Sequence, residues 1–513
     1  MGVRLMGHGG HALFLLPFTQ RVALQGASAV LVAAATPGLG NLYWLAGVAL
    51  TPFVLSLRGL RGPGAFAWGL TGGFAFTALG KWSTFTNAVA TLGYTGASLT
   101  AAVALFFAVQ AAPVGLFAAF WQGLGRWRPR MLGPWLGGFL LAACFLVVST
   151  IFPYTPAVML TGAPVLIQLA EIGGEPLVLG LLMTVNLGVA HALTTWRVDL
   201  TSMLAIALPV VVCIGYGVWA LAGLRVPGDA GVAVLALESD WPRGADRRML
   251  LRDSPRARPR SAIELTRHGM AANPDCQLIV WPESASRPAV PDRQCERGQR
   301  LSLELHRPLL ASCHDEDDAG LFVAARLYAP FQETVQHRKS RLVRRYETGL
   351  FAASDPAGET NLELLSTPVI AAFAPEICYE IHHSADLRRD VRAGAEFIVH
   401  TANFATFRSP KIAAWDLAMT QLRAVEIRRS IVRSVNGGAA GMVYASGNWT
   451  PGLSADGIGA VCHQVPVSAT VTMNVRWGNR VFWSVFILLL ITGLIEILLG
   501  RGGKNKQPTR GKL

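Results

Sequence analysis

Charged residues are scarce in this chain, and they are nearly missing from its first 225 residues. Only 15% of the 513 residues are charged, whereas 52% are hydrophobic, and the mean hydropathy is +0.39. This composition is too apolar for a soluble protein, and the length exceeds that of one ordinary domain. We therefore expect a membrane domain over residues 1–225, a domain of soluble type over 226–478, a transmembrane helix over 479–500 and a basic tail over 501–513.

Several other patterns are missing, and each absence excludes a class of function. The net charge of +13 is not organised into basic blocks interleaved with aromatic residues, so nucleic acid is excluded as a partner. No Cys/His set has the spacing of a zinc site, because His382 and His383 lie too close to Cys378. The sequence therefore implies no metal and no organic cofactor. A separate signal peptide is not apparent either, since the apolar N-terminal pattern lacks a small-residue cleavage site.

The apolar runs predict about seven transmembrane helices before residue 225 and one more near the C-terminus. The first two are short for a bilayer and would tilt or lie partly buried among neighbours. Lys81 falls inside the third, either as a buried functional charge or near the outer interface, where its amine would reach water. The predicted spans lie near residues 22–36, 41–57, 64–85, 98–122, 131–152, 174–195, 202–224 and 481–499.

Basic residues give these spans an orientation. The loops 37–40, 86–97 and 153–173 contain no Lys or Arg, whereas the tail after the last span contains five. The positive-inside rule then places both termini in the cytoplasm and the domain after the seventh span on the outer side. The other basic residues on the cytoplasmic side are Arg4, Arg21, Arg58, Arg61, Arg126, Arg128, Arg130 and Arg197.

Cys378 lies where an apolar run ends and a short helix is predicted to begin. The run Pro368–Ile377 has the pattern of a buried strand, and a rigid strand end is a suitable place for a nucleophile, because backbone N–H groups of the turn can receive developing negative charge. A free cysteine in this position can equally be a small buried hydrophobic residue. Strands alternating with helices around it predict an α/β sandwich with outer helices.

Three charged residues follow the same strand–loop pattern. Glu283 comes just after the apolar strand Leu278–Trp281, Lys339 lies in a basic loop, and Glu347 follows eight residues later. Each also has a simpler explanation. Glu283 could cap a following helix, Lys339 could be one of many surface cations, and Glu347 could pair with a neighbouring arginine.

The order of glutamate, lysine and cysteine resembles the nitrilase, or carbon–nitrogen hydrolase, superfamily. The closer resemblance is to its membrane branch, the apolipoprotein N-acyltransferases. Their motifs run WPE, then K-x-x-L-V with a glutamate eight residues after the lysine, then CYE, then a segment like 421–438. Segments 36–59 and 162–186 resemble membrane spans of that family, so the resemblance covers nearly the whole chain. It implies a multi-pass protein of the bacterial inner membrane with a nitrilase-like α-β-β-α sandwich on the periplasmic side.

The resemblance also implies roles for single residues. Cys378 would be the nucleophile, Glu283 its general base, and Lys339 the group that stabilises the oxyanion, helped by a backbone N–H. A thioester would form with a phospholipid as acyl donor, and an amine of a lipoprotein acceptor would then receive the acyl group. The supporting residues would be Glu347, Tyr379 and Glu380, the glutamates orienting the lysine or the incoming group.

One loop departs from the family pattern. Residues Asn403–Arg408 read NFATFR where the family has an Asn-Asp-Ala-Trp-Phe-Gly stretch, which puts the acceptor in doubt. Three hypotheses follow: the lipoprotein acyltransferase, a membrane-bound amidase or acyltransferase with another acceptor, such as those accompanying conjugal transfer, and a degenerate scaffold. The intact glutamate, lysine and cysteine argue against the third.

Cysteine usage agrees with an oxidising outer compartment. Cys144 and Cys213 lie inside predicted spans, where packing explains them. The outer domain has five cysteines, so at least one thiol should remain free. Cys295 with Cys313 is the disulfide we expect there.

Overall fold

A computed structural model describes most of the chain and divides it into two compact units. The helical unit comprises residues 1–80, 104–218 and 479–513, and the sheet unit comprises residues 81–103 and 219–478. The described residues are 4–5, 13–14, 16–224, 231–239, 261–283, 293–318, 320–343, 347, 364–367, 370–405, 407, 409–452 and 458–502.

The helices follow the apolar segments of the sequence and the amphipathic segments between strands. They are α1 Phe18–Ala35, α2 Ala46–Ala49, α3 Thr51–Ser56, α4 Gly62–Ala78, α5 Trp82–Ala90, α6 Gly96–Leu124, α7 Gly133–Val147, α8 Ala170–Thr195, α9 Leu200–Gly223, α10 Ala262–Ala272, α11 Arg293–Leu305, α12 Ser384–Ala393, α13 Pro410–Ile427, α14 Met473–Trp477 and α15 Arg480–Gly502.

Four of the described helices are long and apolar enough to cross a membrane. They are α6, α8, α9 and the Arg480–Leu499 part of α15, and each coincides with a predicted span. Shorter apolar helical segments cover Tyr43–Ser56 and Gly133–Val147. The protein is therefore a membrane protein, whereas the number of eight spans stays a prediction.

The second and third predicted spans differ from the structure in ways that have a physical cause. Span two is broken between α2 and α3, and the amide of Asn186 closes the break by accepting from Leu50 N at 2.8 Å and donating to Ala46 O at 2.9 Å. In an apolar environment such partners must come from the protein itself. Span three was predicted to reach residue 85 but α4 ends at Ala78, because Gly80 has a φ of 75° and turns the chain.

The sheet unit is built on strands joined by hydrogen bonds in the order β7-β6-β5-β4-β3-β11-β10-β9-β8. The strands from β9 through β10, β11, β3 and β4 to β5 are parallel neighbours, while β6, β7 and β8 pair antiparallel at the two ends. The strands are β1 Arg4–Leu5 and β2 Leu13–Phe14 in the helical unit, then β3 Gly231–Ser239, β4 Leu278–Val280, β5 Leu309–Asp317, β6 Gly320–Tyr328, β7 Val335–Arg338, β8 Leu365–Thr367, β9 Ile370–Ile377, β10 Phe397–Asn403, β11 Ile431–Asn436, β12 Gly441–Val443, β13 Trp449–Pro451 and β14 Gly459–Pro466.

The two halves of this sheet face each other across an apolar core. Val234 and Val280 from one half pack in the same core as Phe373 and Val399 from the other, and Ser312 on β5 is hydrogen-bonded to Thr401 on β10 at 2.9 Å. Helices α10 and α11 cover the outer face of the first half, and α12 and α13 cover that of the second. The predicted α-β-β-α sandwich is confirmed. Its two halves are joined where β3 pairs with β11.

Two disulfides lie in the sheet unit. Cys295 is bonded to Cys313, as expected from the sequence, and Cys276 is bonded to Cys462, a pair that the sequence did not reveal. The free cysteines are Cys144, Cys213 and Cys378. Cys378 is therefore the free thiol of the sheet unit.

Candidate active site

Three strand ends bring the predicted site residues together. Glu283 follows β4, Lys339 follows β7 and Cys378 follows β9. The turn after β4 is anchored by Trp281, which is 1% exposed and donates from Nε1 to Thr266 Oγ1 at 2.9 Å. Lys339 extends the pairing of β7, since its N–H donates to Val323 O at 2.7 Å. The strand ends thus fix three candidate side chains that lie far apart in the sequence.

Lys339 is the centre of the site. Its side chain is fully buried, with Nζ at 3.2 Å from Glu283 Oε1 and 2.8 Å from Glu347 Oε1. Glu347 also accepts from Val343 N at 2.8 Å, which helps to hold its carboxylate beside the lysine. The explanation of Lys339 as a surface cation is wrong, because a buried ammonium needs the paired carboxylates that it has here.

Cys378 begins a tight turn directly after β9. Its φ of 54° lies in the left-handed region, which a residue with a Cβ adopts at a cost of about 1–2 kcal/mol. The turn Cys378–His382 is a 3₁₀ helix. The charges of Glu283 and Lys339 both act on the Cys378 thiol. Glutamate, lysine and cysteine therefore form one cluster.

Burial sets the protonation states of this cluster. Burial raises the pKa of Glu283, although the Lys339 ammonium acts in the opposite direction. Burial also raises the pKa of the Cys378 thiol well above its ordinary value, and the charge of Glu283 adds to the effect. For Lys339 burial alone would lower the pKa, but the charges of Glu283 and Glu347 outweigh it and the pKa lies well above its ordinary value. The resting cluster holds a charged lysine and a protonated thiol, which needs a base before it can attack.

Glu380 ties the cysteine turn to the lysine segment. Its carboxylate accepts from Ile377 N at 2.8 Å, from Ser340 N at 2.7 Å, and from the His337 ring at 3.1 Å. Although the carboxylate is buried, these partners lower the pKa of Glu380 to about 2. Its contacts include backbone N–H groups on both sides of the site, which fits a role in orientation.

Tyr379 lies inside the cysteine turn. Its ring packs edge-on against His383, with centroids 4.7 Å apart, and burial raises the pKa of its phenol to about 12. The part that its backbone N–H would take in binding an oxyanion stays a prediction.

A buried polar network behind the cysteine was missed by sequence reasoning. Asp416 on α13 accepts from Arg433 Nη2 at 2.6 Å and lies 3.1 Å from His382 Nε2. Arg433 Nη1 is 3.1 Å from His400 Nδ1, and His400 Nε2 is 3.1 Å from Cys378 O. These distances assign a neutral His400 that accepts from the arginine and donates to the cysteine carbonyl, in agreement with the low pKa of about 3 that burial gives this ring. No spacing rule connects these residues, because strands β10 and β11 and helix α13 bring them together.

Asn436 lies at the same edge of the sheet. It ends β11 and donates from Nδ2 to Asn403 Oδ1 at 3.0 Å. Its Oδ1 accepts from Ser239 Oγ at 2.9 Å. Three parallel strand ends are thus joined by side chains, which fixes the start of the loop after Asn403. Among the described residues, no group of His, Cys, Asp and Glu side chains could hold a metal ion.

Comparison with known proteins shows two kinds of similarity. The carbon–nitrogen hydrolase family matches residues 253–459, the region that contains Glu283, Lys339 and Cys378. The apolipoprotein N-acyltransferase of Gloeobacter violaceus is 28% identical over 529 aligned positions, which cover 95% of this chain and 95% of the relative. The chain is similar to this apolipoprotein N-acyltransferase over nearly its whole length. That of Bdellovibrio bacteriovorus is 25% identical over 288 positions, 49% of this chain and 50% of the relative.

Some solved structures similar to this chain are described as members of the nitrilase superfamily. Saccharomyces cerevisiae Nit3 is 15% identical, with a TM-score of 0.36 over 46% of this chain and 90% of that one. An amidase from Nesterenkonia is 16% identical, with a TM-score of 0.34 over 48% of this chain and 94% of that one.

Proposed function

We propose that the protein is a membrane N-acyltransferase that moves a fatty acyl group from a phospholipid, through a thioester on Cys378, to the N-terminal amine of an apolipoprotein. The observation that carries this proposal is the buried Lys339, held between Glu283 and Glu347 at the strand end next to Cys378. The near full-length match to an apolipoprotein N-acyltransferase supports the choice of substrates.

The first half-reaction forms the thioester. Glu283 accepts the thiol proton of Cys378, and the sulfur attacks the carbonyl carbon of a phospholipid ester. The carbonyl electron pair moves to oxygen, where the ammonium of Lys339 stabilises the negative charge. The intermediate collapses by expelling the alkoxide of the lysophospholipid, which takes the proton back from Glu283. The acyl group is then bound to sulfur and the glycerol oxygen carries a hydroxyl.

The second half-reaction transfers the acyl group. The amine of the acceptor attacks the thioester carbon, Lys339 again stabilises the oxyanion, and Glu283 accepts a proton from the amine. Collapse breaks the carbon–sulfur bond, and the thiolate of Cys378 recovers its proton from Glu283. One amide forms for each ester broken, so no oxidant, reductant or metal is needed.

The test is a transfer assay with the purified full-length protein in detergent. Phospholipid and a synthetic lipopeptide with a diacylglyceryl cysteine and a free α-amine are incubated with the protein, and the peptide mass is measured. We expect a gain of one acyl chain on the α-amine. A control peptide whose α-amine is already acetylated should gain nothing. A protein that neither transfers the acyl group nor forms a hydroxylamine-labile adduct would contradict the proposal.

A second candidate is an enzyme with the same chemistry and another acceptor. The observation in its favour is the Asn403–Arg408 loop, which departs from the family pattern and begins at the Asn403–Asn436 pair beside the cysteine. In the transfer assay this candidate would form the adduct but leave the lipopeptide unchanged. The same adduct would then be offered other amines and water.

We also propose that the sheet unit lies on the periplasmic side of the inner membrane, with both termini in the cytoplasm. The absence of Lys and Arg from alternate loops supports this orientation, and so do two disulfides in the sheet unit, since disulfides persist in oxidising compartments. Alkaline phosphatase fused after residue 478 should be active, whereas the same enzyme fused after residue 513 should be inactive. The reverse pattern would invert the orientation.

A further inference from the structure

Residues 81–85, at the start of α5, belong to the sheet unit and contact residues of that unit that are distant in sequence. Three of their side chains contact the N-terminal part of α13 and the loop before it. Lys81 Nζ lies 3.3 Å from the centroid of the Trp415 ring, Thr84 Oγ1 donates to Ser409 Oγ at 3.0 Å, and Phe85 packs edge-on against Phe407 at 6.0 Å. More than three hundred positions of sequence separate the two sides.

Lys81 is the unusual member of this contact. It is 5% exposed, and within the described part of the chain it forms no salt bridge. Its amine instead faces the ring of Trp415, which is itself 7% exposed. Burying an ammonium is costly unless a partner compensates, and an indole face is the strongest aromatic partner for a cation. The expectation that Lys81 reaches water at the interface is therefore wrong.

The contact is connected to the cysteine by a chain of described hydrogen bonds. Trp415 is followed on α13 by Asp416, which holds Arg433 at 2.6 Å. Arg433 is 3.1 Å from His400, and His400 is 3.1 Å from the carbonyl of Cys378. A shift of α13 would therefore move the groups that support the left-handed backbone of the cysteine.

A second connection runs through the loop of residues 403–409. Phe407, which meets α5, also packs against Phe404 with ring centroids 6.2 Å apart. Phe404 follows Asn403, and β10 runs parallel to β9 with Thr401 opposite Ile377. The loop thus begins beside the cysteine turn. Ser409, the partner of Thr84, caps α13 by accepting from Lys411 N at 3.3 Å.

We propose that Lys81 is a positioning residue for the reaction at Cys378, although it lies outside the region that matches the carbon–nitrogen hydrolase family. Through Trp415 it holds α13, and through Asp416, Arg433 and His400 it sets the cysteine turn. This inference rests on the proposed function, to which it adds a residue that does not itself touch the reacting atoms.

The experiment measures how fast Cys378 is acylated by phospholipid in a single turnover, at several phospholipid concentrations. We expect Lys81→Met to lower the maximal rate ~10-fold, the scale of a buried cation–π contact, without changing the half-saturating concentration. Lys81→Arg should recover the rate to within ~3-fold, because a guanidinium also binds an indole face. If Lys81 served stability alone, Lys81→Met would lose rate only together with a lower unfolding temperature.

Two α5 threonines provide a matched pair. Thr84→Val removes the bond to Ser409 and should slow acylation, whereas Thr86→Val removes only a bond to Trp82 O within α5 and should not. This pair keeps the test decisive if Lys81→Met does not fold. Wild-type acylation rates in both Lys81→Met and Thr84→Val would overturn the inference. Rate losses fully explained by lower thermal stability of the variants would overturn it as well.

A readout independent of the acyltransferase separates the two proposals. Alkylation of Cys378 by iodoacetamide, followed by peptide mass, reports the reactivity of the thiol whether or not a lipid is the substrate. We expect Lys81→Met to change this rate in the same direction as acylation. The wild-type protein could fail to react with phospholipid while its alkylation still depends on Lys81. This result would reject the proposed substrate and keep the positioning role. Unchanged alkylation in Lys81→Met would reject that role.

Discussion

Replacing Cys378 by alanine is expected to abolish both the acyl adduct and acyl transfer. The sulfur is the atom to which the acyl group is bound in the proposed mechanism, and removing a nucleophile of this kind costs ~10⁴-fold or more. The variant should fold, because the alanine is smaller and the half-buried position has room for it. Intact-mass spectrometry after incubation with phospholipid would show the adduct in the wild type, its loss with hydroxylamine, and its absence in Cys378→Ala.

The chain offers matched controls for this experiment. Cys144 and Cys213 are the other free cysteines, and both lie on helices of the helical unit. Alanine at either position should leave the adduct intact, which would show that the label is specific to one thiol. An adduct that persists in Cys378→Ala and disappears in Cys213→Ala would move the nucleophile to another part of the protein.

The sequence indicated which residues lie together at the candidate site better than it indicated the side chains that support them. Glu283 and Cys378 follow apolar strands, whereas Lys339 follows a polar one. The order of these three residue types along the chain can be recognised without knowledge of the fold. The partners Asp416, Arg433 and His400 carry no such pattern, because their burial depends on strands that become neighbours only in the folded sheet. A charged residue in a sequence is expected to be exposed, but an ion pair that forms only in the folded protein can allow its burial.

Lys81 illustrates the same limit in the apolar part of the chain. A lysine in a predicted span favours a position near water, because an isolated ammonium is costly in a bilayer. The structure ends α4 at Ala78 and places the lysine against Trp415 instead. Neither the turn at Gly80 nor a partner more than three hundred residues away could be inferred from hydropathy. The α-β-β-α layers could be predicted, since they follow from alternating strands and helices and from the family resemblance.

Replacing Glu283 by glutamine is expected to slow thioester formation by ~10³-fold, within the range for a general base. Glutamine keeps the shape of the side chain and an oxygen that can accept from Lys339. In the wild type Lys339 Nζ lies 3.2 Å from Glu283 Oε1. It removes the ability to accept the thiol proton, which Cys378 needs because burial holds the pKa of its thiol well above the ordinary value. The rate of adduct formation by rapid quench and intact mass is the measurement. Glu304→Gln, at an exposed ion pair with Arg267, should react at the wild-type rate.

The pH dependence gives the same prediction a second, independent test. Burial raises the pKa of Glu283, so the carboxyl group becomes protonated at a higher pH than an ordinary glutamate and can then no longer accept a proton. The wild-type rate should therefore fall as the pH is lowered through that raised pKa, and Glu283→Gln should lack this limb of the profile. If the glutamine variant kept the acid limb together with more than about a tenth of the rate, the base would be another group. Glu347, at 2.8 Å from Lys339, would then be the carboxylate to replace, because it is the other buried acid that contacts the lysine of this cluster.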